Sequence, residues 1–224
     1  METMKILIKG LIINLIFTTI LFVCAGRIDY IQGWVFLSVN IVSTLMNYLS
    51  IRKKSDLAYE RSKLGEGVKP WDKLILGLSS VVYLMMLIIA GLDSGRFLWT
   101  ANFSWIVSIS GVVVMIIGQI IFLTARSQNN FFSSVVRIQK ERVHVVCDTG
   151  LYQTVRHPGY LGMILSLIGI PLITTSIWSI IPGLIAIILL LIRTSLEDKT
   201  LNAELDRYNE YSKRTRYKLI PLIW

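Results

Sequence analysis

Residues 160–192 read YLGMILSLIGIPLITTSIWSIIPGLIAIILLLI, 33 positions without one charged side chain. A helix needs about 20 apolar residues to cross a bilayer, so this run is too long for a single crossing. Pro171 and the turn-forming Thr174-Thr175-Ser176 fall near its middle, and such residues punctuate helices. The run therefore reads as a helical hairpin, 160–173 in one direction and 177–192 back, with a tight turn between.

Four further apolar runs, 10–26, 33–51, 74–92 and 105–124, are each 17 to 20 residues long and close to spanning length. The first leads straight into Arg27-Ile28-Asp29 without a small-residue cleavage site, so it is expected to stay as helix one. The composition agrees: of 224 residues 54% are hydrophobic and 17% charged, with mean hydropathy +0.62, whereas soluble domains carry roughly 25% charged residues. Disorder is excluded, and an all-α polytopic membrane helix bundle of about six spans, closed by the C-terminal hairpin, is expected.

The charge balance sets orientation. Of 23 Lys+Arg, 21 fall in alternate segments: ahead of helix one, in 52–73, in 125–159 and in the tail from Arg193. The positive-inside rule puts those segments, and both termini, in the cytoplasm. Reading 160–192 as one crossing would send the seven tail cations outside, which again favours the hairpin. The expected location is the cell membrane, and the net charge of +9 is a topology label facing anionic lipid. The loop 52–73 reads as a short interfacial helix capped by Ser55 and ending near Gly65-Glu66-Gly67. Polar or small stripes, Asn40, Ser43, Asn47 and Ser50 in the second span and Ser108, Gly111 and Gly118 in the fourth, should face protein, either as packing or as part of a substrate groove.

Two regions result: 1–128, the first four spans with loop 52–73, and 129–224, which holds nearly all the chemistry-bearing side chains. His144, His157, the run Arg156-His157-Pro158-Gly159-Tyr160, and Arg193, Glu197 and Asp198 all flank the hairpin on one side of the membrane. Because a hairpin returns to the face it left, 156–160 and 193–198 are expected to meet in space. Pro158 suits a first helical turn, which places His157 at the cap. Arg193 and Glu197, four apart, share a face that Leu201, Leu205 and Tyr208 continue. That pattern fits an i,i+4 ion pair or a ligand, and an apolar continuation favours the ligand. Two histidines without a cysteine pair or carboxylate cluster at ligand spacing make no metal site. No Rossmann or Walker glycine pattern occurs, and the basic loops lack the aromatic interleaving of a nucleic-acid binder.

From about 129 to 224 the chain resembles the isoprenylcysteine carboxyl methyltransferase family of integral-membrane enzymes, and more loosely the phospholipid N-methyltransferases. The resemblance rests on 144–152 (HVVCDTGLY), 156–162 (RHPGYLG), the apolar hairpin, Arg193 with Glu197-Asp198, and the ending Tyr208, Tyr211, Arg216 and Pro221. It implies S-adenosylmethionine in a cytoplasmic pocket beside the hairpin. His144, Val145, Val146 and Cys147 would line the cofactor through backbone and Tyr152 would contact it. His157, Pro158, Gly159 and Tyr160 would hold it, Glu197 would pair with its α-amino group, and Arg193 would orient the acceptor. Asp198 stands where the family often has a second glutamate, and Arg137 corresponds to a polar cofactor contact in part of the family. The N-terminal half matches only as membrane helices.

The implied reaction is methyl transfer to a lipophilic acceptor entering from the bilayer, a carboxylate of the isoprenylcysteine type. A guanidinium suits such an acceptor because it can hold a carboxylate through two parallel bonds. A phospholipid amine acceptor, an NADPH-dependent sterol-type reductase with a similar R-H-x-x-Y-x-G pattern, and a non-catalytic scaffold stay open.

Overall fold

A computed structural model describes residues 2–52, 67–100 and 104–224. Among them are seven α-helices and no strand: α1 (Glu2–Ala25), α2 (Ile31–Ile51), α3 (Pro70–Ala90), α4 (Trp105–Gln128), α5 (Pro158–Thr174), α6 (Ile180–Glu204) and α7 (Tyr208–Arg214). At Gly91, α3 passes directly into a π-helical segment, Gly91–Phe97. The all-α bundle expected from the apolar runs is what forms. The interfacial helix expected from Ser55 lies outside the described residues, Gly67 apart.

Four helices, Thr3–Ala25, Pro70–Phe97, Trp105–Gln128 and Ile180–Glu204, are long and apolar enough to cross a membrane, which makes this an integral membrane protein. Two further apolar helices, α2 and α5, bring the bundle to the six expected, although neither meets that criterion. The 21-residue α2 is diluted by Gln32, Asn40, Ser43 and Asn47, and the 17-residue α5 is only roughly 26 Å long at 1.5 Å per residue. The outer faces of the long helices are apolar: Ile12, Ile16, Ile109, Ile116, Ile120, Ile181, Ile185 and Ile188 are all exposed. Hydrocarbon demands such a surface, since it offers a polar group no hydrogen bond.

The hairpin forms with shifted limits, Pro158–Thr174 and Ile180–Glu204. Pro171 does not end the first helix; it lies inside α5, and the stop comes three residues later. Thr175 takes a left-handed conformation at φ 51°. Its amide donates to Leu172 O at 3.2 Å and the Ser176 amide to Pro171 O at 3.0 Å, the Schellman pattern that closes a helix C-terminus. A left-handed threonine costs free energy, and the turn is held from outside by Asp93 in the π-helical segment that follows α3. That fully buried carboxylate accepts bonds from the Thr100 amide and hydroxyl, both at 2.8 Å, from Ser176 Oγ at 2.6 Å and from the Trp178 amide at 3.3 Å.

Small residues set the closest helix approach. A Cβ on Gly118 of α4 would lie 2.6 Å from Gly162 O of α5, and one on Gly111 would lie 2.5 Å from Ile173 N. Ser108 Oγ donates to Ile173 O at 3.0 Å. The polar and glycine stripe of this helix is therefore a packing face, one of the two readings open from sequence. The central core gathers Leu21, Tyr30, Phe36, Met86, Leu87, Met115, Ile170 and Ile173 from α1, the start of α2, α3, α4 and α5. Gly118→Ala is expected to destabilise the detergent-solubilised protein by about 1–3 kcal/mol through overpacking, read as a lowered thermal midpoint. Gly77→Ala, at an exposed helix position with nothing within 4 Å of its Cβ, should leave the midpoint unchanged or raise it.

Candidate functional site

One large cavity, about 680 Å³, opens among the helices at the end of the bundle that carries the loop 129–157. Its wall draws on every long helix, from Phe17 of α1 and Asn40 of α2 to Leu201 of α6, and on the segment 129–147. Along α6 it extends from Leu201 to Ala186, roughly 22 Å at the helical rise. Arg137, Arg156, Arg193, Glu197 and both histidines lie at its polar end, while Phe17, Met115, Ile170 and Ala186 line it deeper in the bundle.

The two halves of the predicted constellation do meet. Pro158 starts α5 and His157 is its N-cap residue, as the proline pattern implies, but the imidazole makes no cap bond. It turns instead to Asp198, with Nε2 3.2 Å from Oδ1. Arg156 grips the same carboxylate with two bonds, Nε to Oδ1 at 2.8 Å and Nη2 to Oδ2 at 3.0 Å. Its Nη1 donates to the carbonyls of Thr215 and Arg216, both at 2.9 Å. Tyr208 OH donates to Asp198 Oδ1 at 2.9 Å. Burial, and then the neighbouring Asp198 charge, push the Tyr208 phenol well above its usual range, so it acts as a neutral donor.

Across 37 positions of sequence, Tyr160 OH donates to Glu197 Oε2. Glu197 makes no ion pair within 4 Å and its Oε1 no hydrogen bond among the described residues, although its charge is felt by the nearby Arg193 guanidinium. It is therefore a half-buried carboxylate on the cavity wall with one oxygen open. Of the two readings open from sequence for Arg193 and Glu197, the i,i+4 ion pair does not form. Arg193 is engaged elsewhere: Nε donates to Asp72 Oδ1 at 2.7 Å, Nη2 donates to Asp72 Oδ2 at 3.3 Å and to Ser134 O at 2.9 Å, and the guanidinium lies 5.3 Å from the Tyr160 ring centre. The two-pronged edge is thus taken by an internal carboxylate. Only Nη1 is left without a hydrogen bond among the described residues, so the two-pronged grip expected for an acceptor carboxylate is not available from this arrangement.

The segment 129–152 is shaped by local bonds. Asn129 Oδ1 accepts from the Phe131 amide at 2.8 Å, and Gln139 Nε2 donates to Phe131 O at 2.8 Å. The His144 ring stacks on Phe131 at 4.5 Å, and its Nδ1 accepts from the Gln139 amide at 3.4 Å. Gly150, at φ 58°, turns the chain against the Gln128 side chain, where a Cβ would lie 2.3 Å away. The following turn buries Tyr152, whose carbonyl accepts from Tyr211 OH at 2.7 Å. Burial raises the Tyr152 phenol well above its ordinary value. Arg137 donates to Glu141 at 2.7 Å, and Cys147 Sγ to Gln128 O at 3.5 Å.

Of the residues singled out from sequence, all but Pro158 and Asp198 line this cavity: Arg137, His144, Val145, Val146, Cys147, Tyr152, His157, Gly159, Tyr160, Arg193 and Glu197. Asp198 is corrected from a cofactor contact to a brace, because its oxygens face Arg156, His157 and Tyr208. The apolar face expected to run from Arg193 to Tyr208 is buried at Leu205 and Tyr208, but the helix ends at Glu204, and Arg207 at φ 62° separates it from α7. Asp72 was missed. It stands in the first turn of α3 behind Pro70, where an acid reads as ordinary helix-start chemistry, and no local signal ties it to α6. It also accepts from the Val136 amide at 2.8 Å, joining α3, α6 and the loop. No cluster of three or more His, Cys, Asp or Glu suited to a metal occurs among the described residues.

Known proteins resemble this chain in part. "Probable protein-S-isoprenylcysteine O-methyltransferase" from Oryza sativa, subspecies indica and japonica, is 38% identical over 66 residues, 29% of this chain and 35% of theirs. "Protein-S-isoprenylcysteine O-methyltransferase B" of Arabidopsis thaliana is 32% identical over 66 residues, 29% of this chain and 34% of that protein. The chain thus spans about a third of the length of these curated relatives, whose names agree with the resemblance read from the motifs. A family model described as "Protein of unknown function (DUF1295)" matches residues 74–215, from α3 through α7 and so across most of the cavity wall. Covering more than half of the 224 residues, that match shows that the chain belongs to the DUF1295 family.

Proposed function

We propose that the protein transfers a methyl group from S-adenosylmethionine to a lipophilic acceptor, a carboxylate of the isoprenylcysteine kind, at the polar end of the cavity. The observation that carries the reading is the open Glu197 carboxylate on a wall otherwise paired internally. Every arginine on that wall has its carboxylate: Arg137 with Glu141, Arg156 with Asp198, Arg193 with Asp72. A pyrophosphate-bearing cofactor would meet no uncompensated cation there and would face Glu197, which speaks against the NADPH-dependent alternative. An ammonium group is what that wall lacks.

The donor set fits S-adenosylmethionine. Glu197 would take its α-amino group, with Tyr160 holding the carboxylate in place. His144, Phe131 and Tyr152 supply flat or phenolic surface, and Val145 and Val146 line the wall beside them. When bound, the cofactor supplies an electrophilic methyl on a sulfonium, and its transfer needs alignment and a dry site more than a strong acid or base. Arg193 Nη1 would orient the acceptor carboxylate, while Asp72 and Ser134 O hold the guanidinium over Tyr160. Asp198 holds Arg156 and His157 in fixed positions on the cavity wall. The apolar length of the cavity receives the body of the acceptor and excludes water. The site faces the cytoplasm of the cell membrane, as the 21 cations on that side imply.

Calorimetry on detergent-purified protein tests the core of the reading: S-adenosylhomocysteine should bind at micromolar concentration and Glu197→Gln should weaken it about tenfold or more, as loss of a charge-assisted bond implies. NADPH binding without S-adenosylhomocysteine binding would end it.

Asp72→Asn should lower turnover about 10–100-fold while cofactor affinity stays within about twofold, because it loosens Arg193 rather than Glu197. A matching loss of cofactor affinity would merge the two roles. For orientation, a cysteine at exposed Ile177, in a Cys24→Ser background, should react with an impermeant maleimide on intact cells; reaction only after permeabilisation would reverse the orientation.

A further inference from the structure

Midway along the cavity the wall changes character. Asn40 of α2, Ser79 and Tyr83 of α3, and Gln119 of α4 all line it. They lie at one level. The Tyr83 ring is 5.1 Å from Phe17, one turn along α1 from Asn14, whose amide donates to Asn40 O at 3.1 Å. Gln119 Nε2 donates to Ser166 Oγ at 3.4 Å, and its helix neighbour Met115 packs in the same cluster as Phe17 and Tyr83.

These groups have unused capacity. The Tyr83 and Ser79 hydroxyls, Gln119 Oε1 and Asn40 Oδ1 have no hydrogen-bond partner among the described residues. The charged lining, Arg137, Arg156, Arg193 and Glu197, lies at the other end. Eleven residues of α3 separate Tyr83 from Asp72, the partner of Arg193, roughly 16 Å at the helical rise. A plain hydrocarbon chain filling the cavity would strip water from these groups and leave them unpaired, at a cost in binding. A ligand with a neutral oxygen at that level would replace the lost bonds.

We propose that this polar belt recognises a neutral hydroxyl or carbonyl on the body of the acceptor, roughly 16 Å from the methylated group, with Tyr83, Asn40 and Gln119 as the specificity-determining residues. The acceptor is then a lipophilic carboxylate whose chain carries an oxygen, which narrows the proposed isoprenylcysteine-type class to members with an oxygenated rather than a plain hydrocarbon body. The inference rests on reading the cavity as the acceptor site.

The test compares octadecanoate with its mid-chain monohydroxy analogues, by displacement of a fluorescent fatty acid from full-length protein in nanodiscs. Wild type should bind the best-placed hydroxy analogue about tenfold more tightly than octadecanoate, the ratio expected of one well-made hydrogen bond. Tyr83→Phe and Gln119→Leu should each shrink that ratio while leaving octadecanoate affinity within about twofold, which also reports that the variants are folded. Equal affinity for all chains in the wild type, or a preference untouched in both variants, would overturn the proposal. A parallel titration with S-adenosylhomocysteine keeps the two readings apart. Hydroxyl preference without cofactor binding supports the belt and ends the methyltransferase reading; cofactor binding with equal chain affinities overturns the belt alone.

Discussion

The Asp198 carboxylate draws together three stretches that nothing else joins so directly. Arg156 and His157 reach it from the entry to α5, Tyr208 from α7, and Asp198 itself sits on α6. Through Arg156 Nη1 the same cluster holds the carbonyls of Thr215 and Arg216, and the amides of Arg156 and His157 donate to Tyr217 O and Lys218 O at 2.9 Å. A buried ion pair is weak evidence of net stability, since desolvating two charges offsets most of their attraction. What it enforces is arrangement, because a missing partner leaves a buried charge unanswered. The polar end of the cavity inherits its shape from that constraint.

A second buried pair, Arg193 with Asp72, does the same between halves of the chain. It ties α6 to the first turn of α3, and the Val136 amide adds the loop. At the opposite end of the bundle Asp93 holds the hairpin turn by neutral donors alone. Three carboxylates thus fix the two ends of a bundle whose middle is held by close packing of Gly111, Gly118, Gly162 and Gly169. Hydrocarbon supplies no hydrophobic drive between helices, so close backbone approach and internal polar pairing take its place.

Much was legible from the residues in order. The uncharged run 160–192 implied the hairpin, and the hairpin implied that 156–160 and 193–198 would meet, as Tyr160 with Glu197 and Arg156 with Asp198 do. Length and apolarity carry that much because a bilayer permits few conformations. Pro158 marked a helix start for a similarly local reason, its fixed φ and missing amide.

What the sequence determined by itself was therefore the membrane class, the hairpin, and the residues that gather at one end. Partner choice was settled only in three dimensions. Arg193 pairs with Asp72, 121 positions away, and not with Glu197 one turn along its own helix. Asp198 turns from the cavity to Arg156 while its neighbour Glu197 stays on the wall. Successive helical residues point about 100° apart, so which of two adjacent acids faces the cavity depends on how the helix is rolled against its neighbours. Packing decides that roll, and no local pattern in the chain records it.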